Sequence, residues 1–232
     1  MEAQKPKALT VLDIISVLLV AAAAVMVFFY APLEAVMGQV QRVFYFHIAN
    51  AWVGMLGFGV AAIAGIAYLR TGNLKWDVRG VAAVEISVVF FFVAIVSGSI
   101  WARPAWNTWW IWDVRLTSAA IAELIFAAYL LLRQGIEDPE RRARFGAVYT
   151  ILGFISVPIT FVSIRLLQTI HPVVIGGGGG GEGGFAMTPP MLQTMFFSLF
   201  TFSILFIDLY WHRVRLGNLS SKVEQLRLKL AR

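Results

Sequence analysis

Six long apolar runs, separated by short segments that hold most of the charge, constrain this chain more than any other feature. They fall at about 11–30, 48–69, 80–101, 117–132, 146–167 and 191–211. About 20 apolar residues are what an α-helix needs to cross the hydrocarbon core of a bilayer. Backbone polar groups in lipid must be satisfied within the segment, so such runs are helices. The expectation is an all-α integral membrane protein, a single membrane domain over 1–232 with six transmembrane helices. The balance of residues agrees, with 59% hydrophobic and 14% charged, against about 25% charged in soluble domains. A cleaved signal peptide is the rival reading of the first run, with Ala21 to Ala24 as its cleavage zone. That run exceeds the ~7–15 apolar residues of a signal sequence, so a retained helix is expected. Pro158 predicts a kink in the fifth span.

The net charge is +6. It does not form one patch, which argues against a nucleic-acid partner. Lys5 and Lys7, then Arg70, Lys75 and Arg79, then Arg133, Arg141, Arg142 and Arg144 fall on alternate connectors, and Arg213, Arg215, Lys222, Arg227, Lys229 and Arg232 lie in the tail. With six spans these segments share one side, and the positive-inside rule makes it the cytoplasm. Both termini are therefore expected to be cytoplasmic. Residues 31–46, the Trp-rich segment 101–117 and the loop 168–190 are expected to face outward. That loop contains GGGGGGEGG at 176–184, with no strand before it and no Gly-Lys after it, so it is not a phosphate loop. The tail has a basic amphipathic pattern, with Val223, Leu226 and Leu230 at helical spacing. There is no cysteine, which excludes disulfides and thiolate chemistry.

The segment WARPAWNTWWIWDVRLT concentrates Trp101, Trp106, Trp109, Trp110 and Trp112. One reading is an interfacial aromatic belt with packing. The other is a shelf for a large planar apolar ligand. A belt spreads its aromatic residues over every helix end, yet the other helix ends here carry at most one Trp each. Were 105–113 helical, Trp106 and Trp110 would share a face, as would Trp109, Trp112 and Asp113. Pro104 is expected to end the preceding helix.

Residues 101–118, in the pattern W…W..WW.WD.RLTS, resemble the tryptophan-rich WWD signature of haem-handling membrane proteins of cytochrome c maturation. In length and layout the whole chain is similar to the short haem exporter protein C (CcmC) type. The resemblance implies haem b bound at the outer face of the bacterial cytoplasmic membrane. It implies delivery to a CcmE-type haem chaperone, with CcmA- and CcmB-type ABC transporter subunits and a small CcmD-type membrane subunit as partners. Besides these and membrane lipid, no nucleic-acid partner is expected. The chain has no P-loop, so the expectation is a transport and assembly factor, not an enzyme.

Of three histidines, His47 precedes the second span and His171 follows the fifth, both at the outer face with the Trp-rich segment. A lone His most often only hydrogen-bonds. Two converging on an aromatic shelf point to axial ligation of haem iron. They also match the family positions that the resemblance assigns to the iron ligands. His212, at the cytoplasmic end of the sixth span, reads as interfacial. Trp52 and the five tryptophans are expected to contact haem. Arg103, Arg115 and Arg165, with Arg42 behind, are the outer-side cations available to its propionates. Arg115 could equally pair with Asp113, itself read as a backbone acceptor closing the loop. Four positions depart from the family pattern: Asn107 stands where glycine is expected, Ala49 where proline is, and Leu166-Leu167 where a Trp pair is. Glu85 and Glu123 lie within spans, where a carboxylate is a functional candidate by default. The alternatives are a haem-bearing electron-transfer protein, whose histidines would lie inside helices, and a cofactor-free permease.

Overall fold

The computed structural model describes residues 4–34, 37–166 and 187–230, with the side chains of 164–166 and 228 outside the description. His171, the Arg165 side chain and the glycine-rich stretch 176–184 therefore lie outside the described residues. Helix α1 (Lys7–Val25) runs on as a π-helical turn over Met26–Tyr30. It is followed by α2 (Gln41–Thr71), α3 (Lys75–Trp106), α4 (Val114–Gln134), α5 (Pro139–Phe154), α6 (Ser156–Leu166) and α7 (Pro189–Leu230). Among the described residues six crossings are long and apolar enough to span a bilayer, the fifth built from α5 and the first turns of α6. No strand occurs among the described residues.

Local chemistry sets the helix ends. Gly72, at φ 64°, closes α2 in the left-handed conformation that glycine reaches without penalty. Asp138 caps α5 by accepting the Arg141 N–H at 2.7 Å, with Pro139 in the first turn. The α5–α6 break falls at Ile155. Pro158 has no N–H for the Phe154 carbonyl four residues back, and its ring crowds that carbonyl, so the helix gives way just upstream of it. At Pro104 the result differs from the expected stop, because α3 continues to Trp106. A proline one turn from a helix end costs a single ladder bond there. Likewise α2 begins six residues before His47, and α7 continues through the basic tail. Apolar runs mark the lipid core, whereas helices extend past it wherever nothing terminates them.

Helices α2 and α3 form the most extensive pairing. A side chain at Gly54 would place its Cβ 2.7 Å from the Phe91 Cβ, so only glycine lets the two backbones come this close. The central core joins Phe58, Phe91, Phe126 and Tyr129, with Phe58 and Phe126 stacked at 3.8 Å. Ion pairs tie the helices on the side of the termini. Arg133 grips Asp77 with both guanidinium nitrogens, at 2.9 and 2.7 Å, and Glu85 pairs with Arg213 of α7. Asp13 of α1 pairs with Lys5 and lies 2.7 Å from His212 Nε2 of α7. Glu85 and His212 are thus engaged in holding helices together.

Candidate functional site

His47 lies in the second turn of α2 and points at α3, where its Nδ1 is 2.8 Å from the Ala94 carbonyl oxygen. A carbonyl can only accept, so Nδ1 carries a proton, and in the neutral tautomer the lone pair falls on Nε2. The ring reaches Ala94 because residue 98 is glycine. A Cβ there would sit 2.8 Å from His47 Cε1 and 3.1 Å from Nδ1. Ala94 and Gly98 are one helical turn apart, so a single turn of α3 forms the seat of the imidazole.

Beside the ring opens a half-enclosed cleft walled by α2, α3, α4 and α6. His47, Gly98, Trp110, Arg115 and Thr160 line it, with Met55 and Phe91 at its apolar floor. Arg115 is in the first turn of α4, and its buried Nη1 has no hydrogen-bond partner among the described residues. The same holds for the buried Nε1 of Trp110. Leaving such a donor unmet costs about 1–3 kcal/mol. The cleft therefore combines an oriented imidazole with apolar walls and with two donors, the Arg115 guanidinium and the Trp110 indole N–H, that have unused capacity among the described residues. That donor set suits a mainly apolar ligand with a metal centre and an anionic edge.

The Trp-rich segment divides in two. Trp101 and Trp106 belong to α3 and meet edge to face at 5.0 Å. Trp101 is buried against Phe44, Val27, Met191 and Met195 at the end of the bundle away from the termini. Residues 107–113 are not helical, so the two helical faces considered for 105–113 do not form. Asn107 explains the change of direction. At φ 55° it occupies the left-handed region, which glycine enters freely and Asn tolerates. Arg103 Nη1 holds it there, donating to its main-chain and side-chain oxygens at 2.6 and 2.7 Å. Trp110 and Trp112 then form a second edge-to-face pair at 5.5 Å. Trp109 and Trp112 are 57% and 76% exposed. Asp113 ends the segment as the N-cap of α4, its Oδ1 accepting the Leu116 N–H at 2.8 Å.

Thus the structure brings His47, Trp110 and Arg115 into one cleft. Trp52 lies elsewhere, its Nε1 donating to Ser203 Oγ of α7 at 3.0 Å. Arg42 donates to the Phe28 carbonyl at 2.8 Å. Sequence reasoning missed Gly98, the Ala94 carbonyl and Thr160. Gly98 carried a usable signal, since Ser97-Gly98-Ser99 interrupts an apolar span one turn before Trp101. A backbone carbonyl carries none. Glu123 of α4 is also buried, and its Oε2 has no partner among the described residues.

Fold and cleft together define a polytopic helical membrane protein with a histidine-bearing aromatic cleft at one end of its bundle. The family described as Heme exporter protein C matches residues 2–229. Heme exporter protein C of Bradyrhizobium diazoefficiens is 33% identical over 201 residues, covering 87% of this chain and 75% of that protein. Heme exporter protein C of Escherichia coli K12 is 30% identical over 193 residues, covering 81% and 74%. A protein of Marchantia polymorpha described as ccmC-like, mitochondrial and of cytochrome c biosynthesis is 29% identical over 141 residues, covering 61% and 59%. The chain belongs to the heme exporter protein C family. Membership gives it a role in haem export for cytochrome c maturation, one of transport and assembly, with haem and that system's components as partners. Its six spans and bacterial relatives fit a multi-pass protein of the bacterial inner membrane.

Proposed function

We propose that the cleft between α2, α3, α4 and α6 binds one haem b at the outer face of the membrane and presents it to a CcmE-type chaperone. His47 supplies one axial nitrogen, Nε2, and His171 the other. Arg115 offers its unused Nη1 to a propionate, Trp110 closes over the porphyrin, and Asp113 fixes the turn from which Arg115 projects. Arg165 is a second cation for the propionates. CcmA- and CcmB-type subunits supply ATP hydrolysis, and a small CcmD-type subunit completes the complex. Iron held between two imidazoles would be retained, so delivery needs an open side. The exposure of Trp109 and Trp112 beside Trp110 supports such a side, where a chaperone can reach the porphyrin edge.

One observation carries this reading: His47, Trp110 and Arg115, 68 residues apart from first to last in the sequence, line one cleft. The test is the absorption spectrum of purified protein beside His47→Ala and His171→Ala. Each substitution is expected to shift the Soret band or remove haem. Unchanged spectra and haem content in both would refute the assignment. Two haems per chain would favour an electron carrier, and colourless wild-type protein a permease.

A further inference from the structure

Helix α7 is one unbroken helix of 42 residues. A bilayer core accounts for about 20 of them. Trp211, His212 and Arg213 mark where the span meets the polar interface. Two contacts fix the level at which α7 leaves the bundle. Arg215 Nη2 donates to the Gln4 carbonyl at 3.3 Å, just ahead of α1. Gly217 packs on Val78 in the first turn of α3, where a Cβ would meet Val78 Cγ1 at 2.7 Å. Beyond Gly217 every described side chain through Leu230 is exposed. At 1.5 Å per residue that free stretch is about 20 Å long.

So short a helix is marginal in water on its own. Here α7 nucleates it, and its sequence carries a seam. Leu216, Leu219, Val223, Leu226 and Leu230 recur at alternating steps of three and four, and all five are exposed. That is the a/d spacing of a coiled coil, and the positions beside it that set partner choice hold Lys222, Arg227 and Lys229. The acid nearby, Glu224, lies outside those positions, at 4.0 Å from Arg227. A second copy of the tail would bring cations against cations in either orientation. A lipid surface fits poorly, because the helix continues the course of its span and does not turn into the plane of the membrane.

We propose that the tail of α7 is a docking strand for an amphipathic helix of a partner protein whose flanking positions are acidic. Leu219, Val223 and Leu226 bury against the partner's apolar seam. Lys222, Arg227 and Lys229 face its carboxylates and reject basic helices.

The test uses the full-length protein in nanodiscs of neutral lipid. The probes are two fluorescein-labelled four-heptad peptides with Leu at the seam, one flanked by Glu and one by Lys, followed by anisotropy. The Glu peptide is expected to bind at least about tenfold tighter than the Lys peptide. Val223→Ser with Leu226→Ser should abolish binding. Lys222→Glu with Arg227→Glu and Lys229→Glu should reverse the preference, which a misfolded tail could not do. Equal binding of both peptides, or no reversal, would overturn the proposal. So would a tail-dependent dimer in light scattering, or transfer of a tail-attached dye into anionic nanodiscs in place of peptide binding.

Discussion

Replacing Gly98 with alanine tests the seat of His47, and its effect should change sign with the residue at 47. In the wild type the new Cβ would lie 2.8 Å from the imidazole Cε1, where 3.4–4 Å is an ordinary contact. Either the ring withdraws and loses the 2.8 Å bond to Ala94, worth about 0.5–1.5 kcal/mol, or α2 and α3 separate, an overpacking cost of about 1–3 kcal/mol. Gly98→Ala should therefore destabilise by about 1–3 kcal/mol and alter the haem spectrum, since Nε2 moves with the ring. In a His47→Ala background the obstructing ring is gone. There alanine should be neutral or stabilising by up to about 1 kcal/mol, because glycine is the poorer helix former. The assay is thermal unfolding in detergent of the four proteins in this cycle, with spectra of haem-loaded samples. An equal cost in both backgrounds would show that Gly98 serves helix packing alone, and would refute the reasoning.

Asp113→Ala removes the N-cap of α4 and should cost about 0.5–2 kcal/mol in thermal unfolding, with haem affinity falling alongside because Arg115 sits in the turn that Asp113 fixes. Arg115→Gln should lower haem content in purified protein while leaving the Soret position of the remaining haem unchanged; an unaltered yield would remove Arg115 from the propionate role. Asp77→Ala strands Arg133, whose side chain is 10% exposed, and should destabilise by about 3–5 kcal/mol without altering the haem spectrum of the folded fraction. Trp101→Ala should cost about 3–5 kcal/mol as a core deletion, whereas Trp110→Ala should leave stability nearly intact and reduce haem transfer to the chaperone, read as haem content of both proteins in the same cells.

Much of the architecture was legible because membrane helices advertise themselves by length. The ends were not, for a physical reason. Hydropathy reports where lipid lies, while a helix ends where a cap or a backbone break ends it. Gln41 begins α2 in a polar stretch, and α7 has no stop signal before Leu230. The site was legible in its side chains and illegible in its seat. His47, Trp110 and Arg115 are residue types whose chemistry is visible in a letter. The Ala94 carbonyl that orients His47 is common to every residue, and the room at Gly98 has meaning only once α2 is known to cross there.

The tryptophans show where a motif read as one unit divides physically. In sequence they form one aromatic block, and helical periodicity would spread them into a continuous plate. Asn107 prevents this, since a left-handed residue ends α3 and sends the chain off in a new direction. Trp101 and Trp106 stay behind in the bundle, where they pack with Phe44 and Met195. Trp110 is carried to the wall of the cleft, while Trp109 and Trp112 are left exposed. A plate of five indoles would grip a porphyrin over its whole face. Under the proposed function, one indole at the cleft with two exposed neighbours would grip an edge and leave the rest reachable for release. The glycine expected at 107 would reach the same backbone conformation without the side-chain oxygen that Arg103 holds. Asparagine therefore preserves the turn and adds a fastening to α3, so this departure from the family pattern keeps the division of the motif intact.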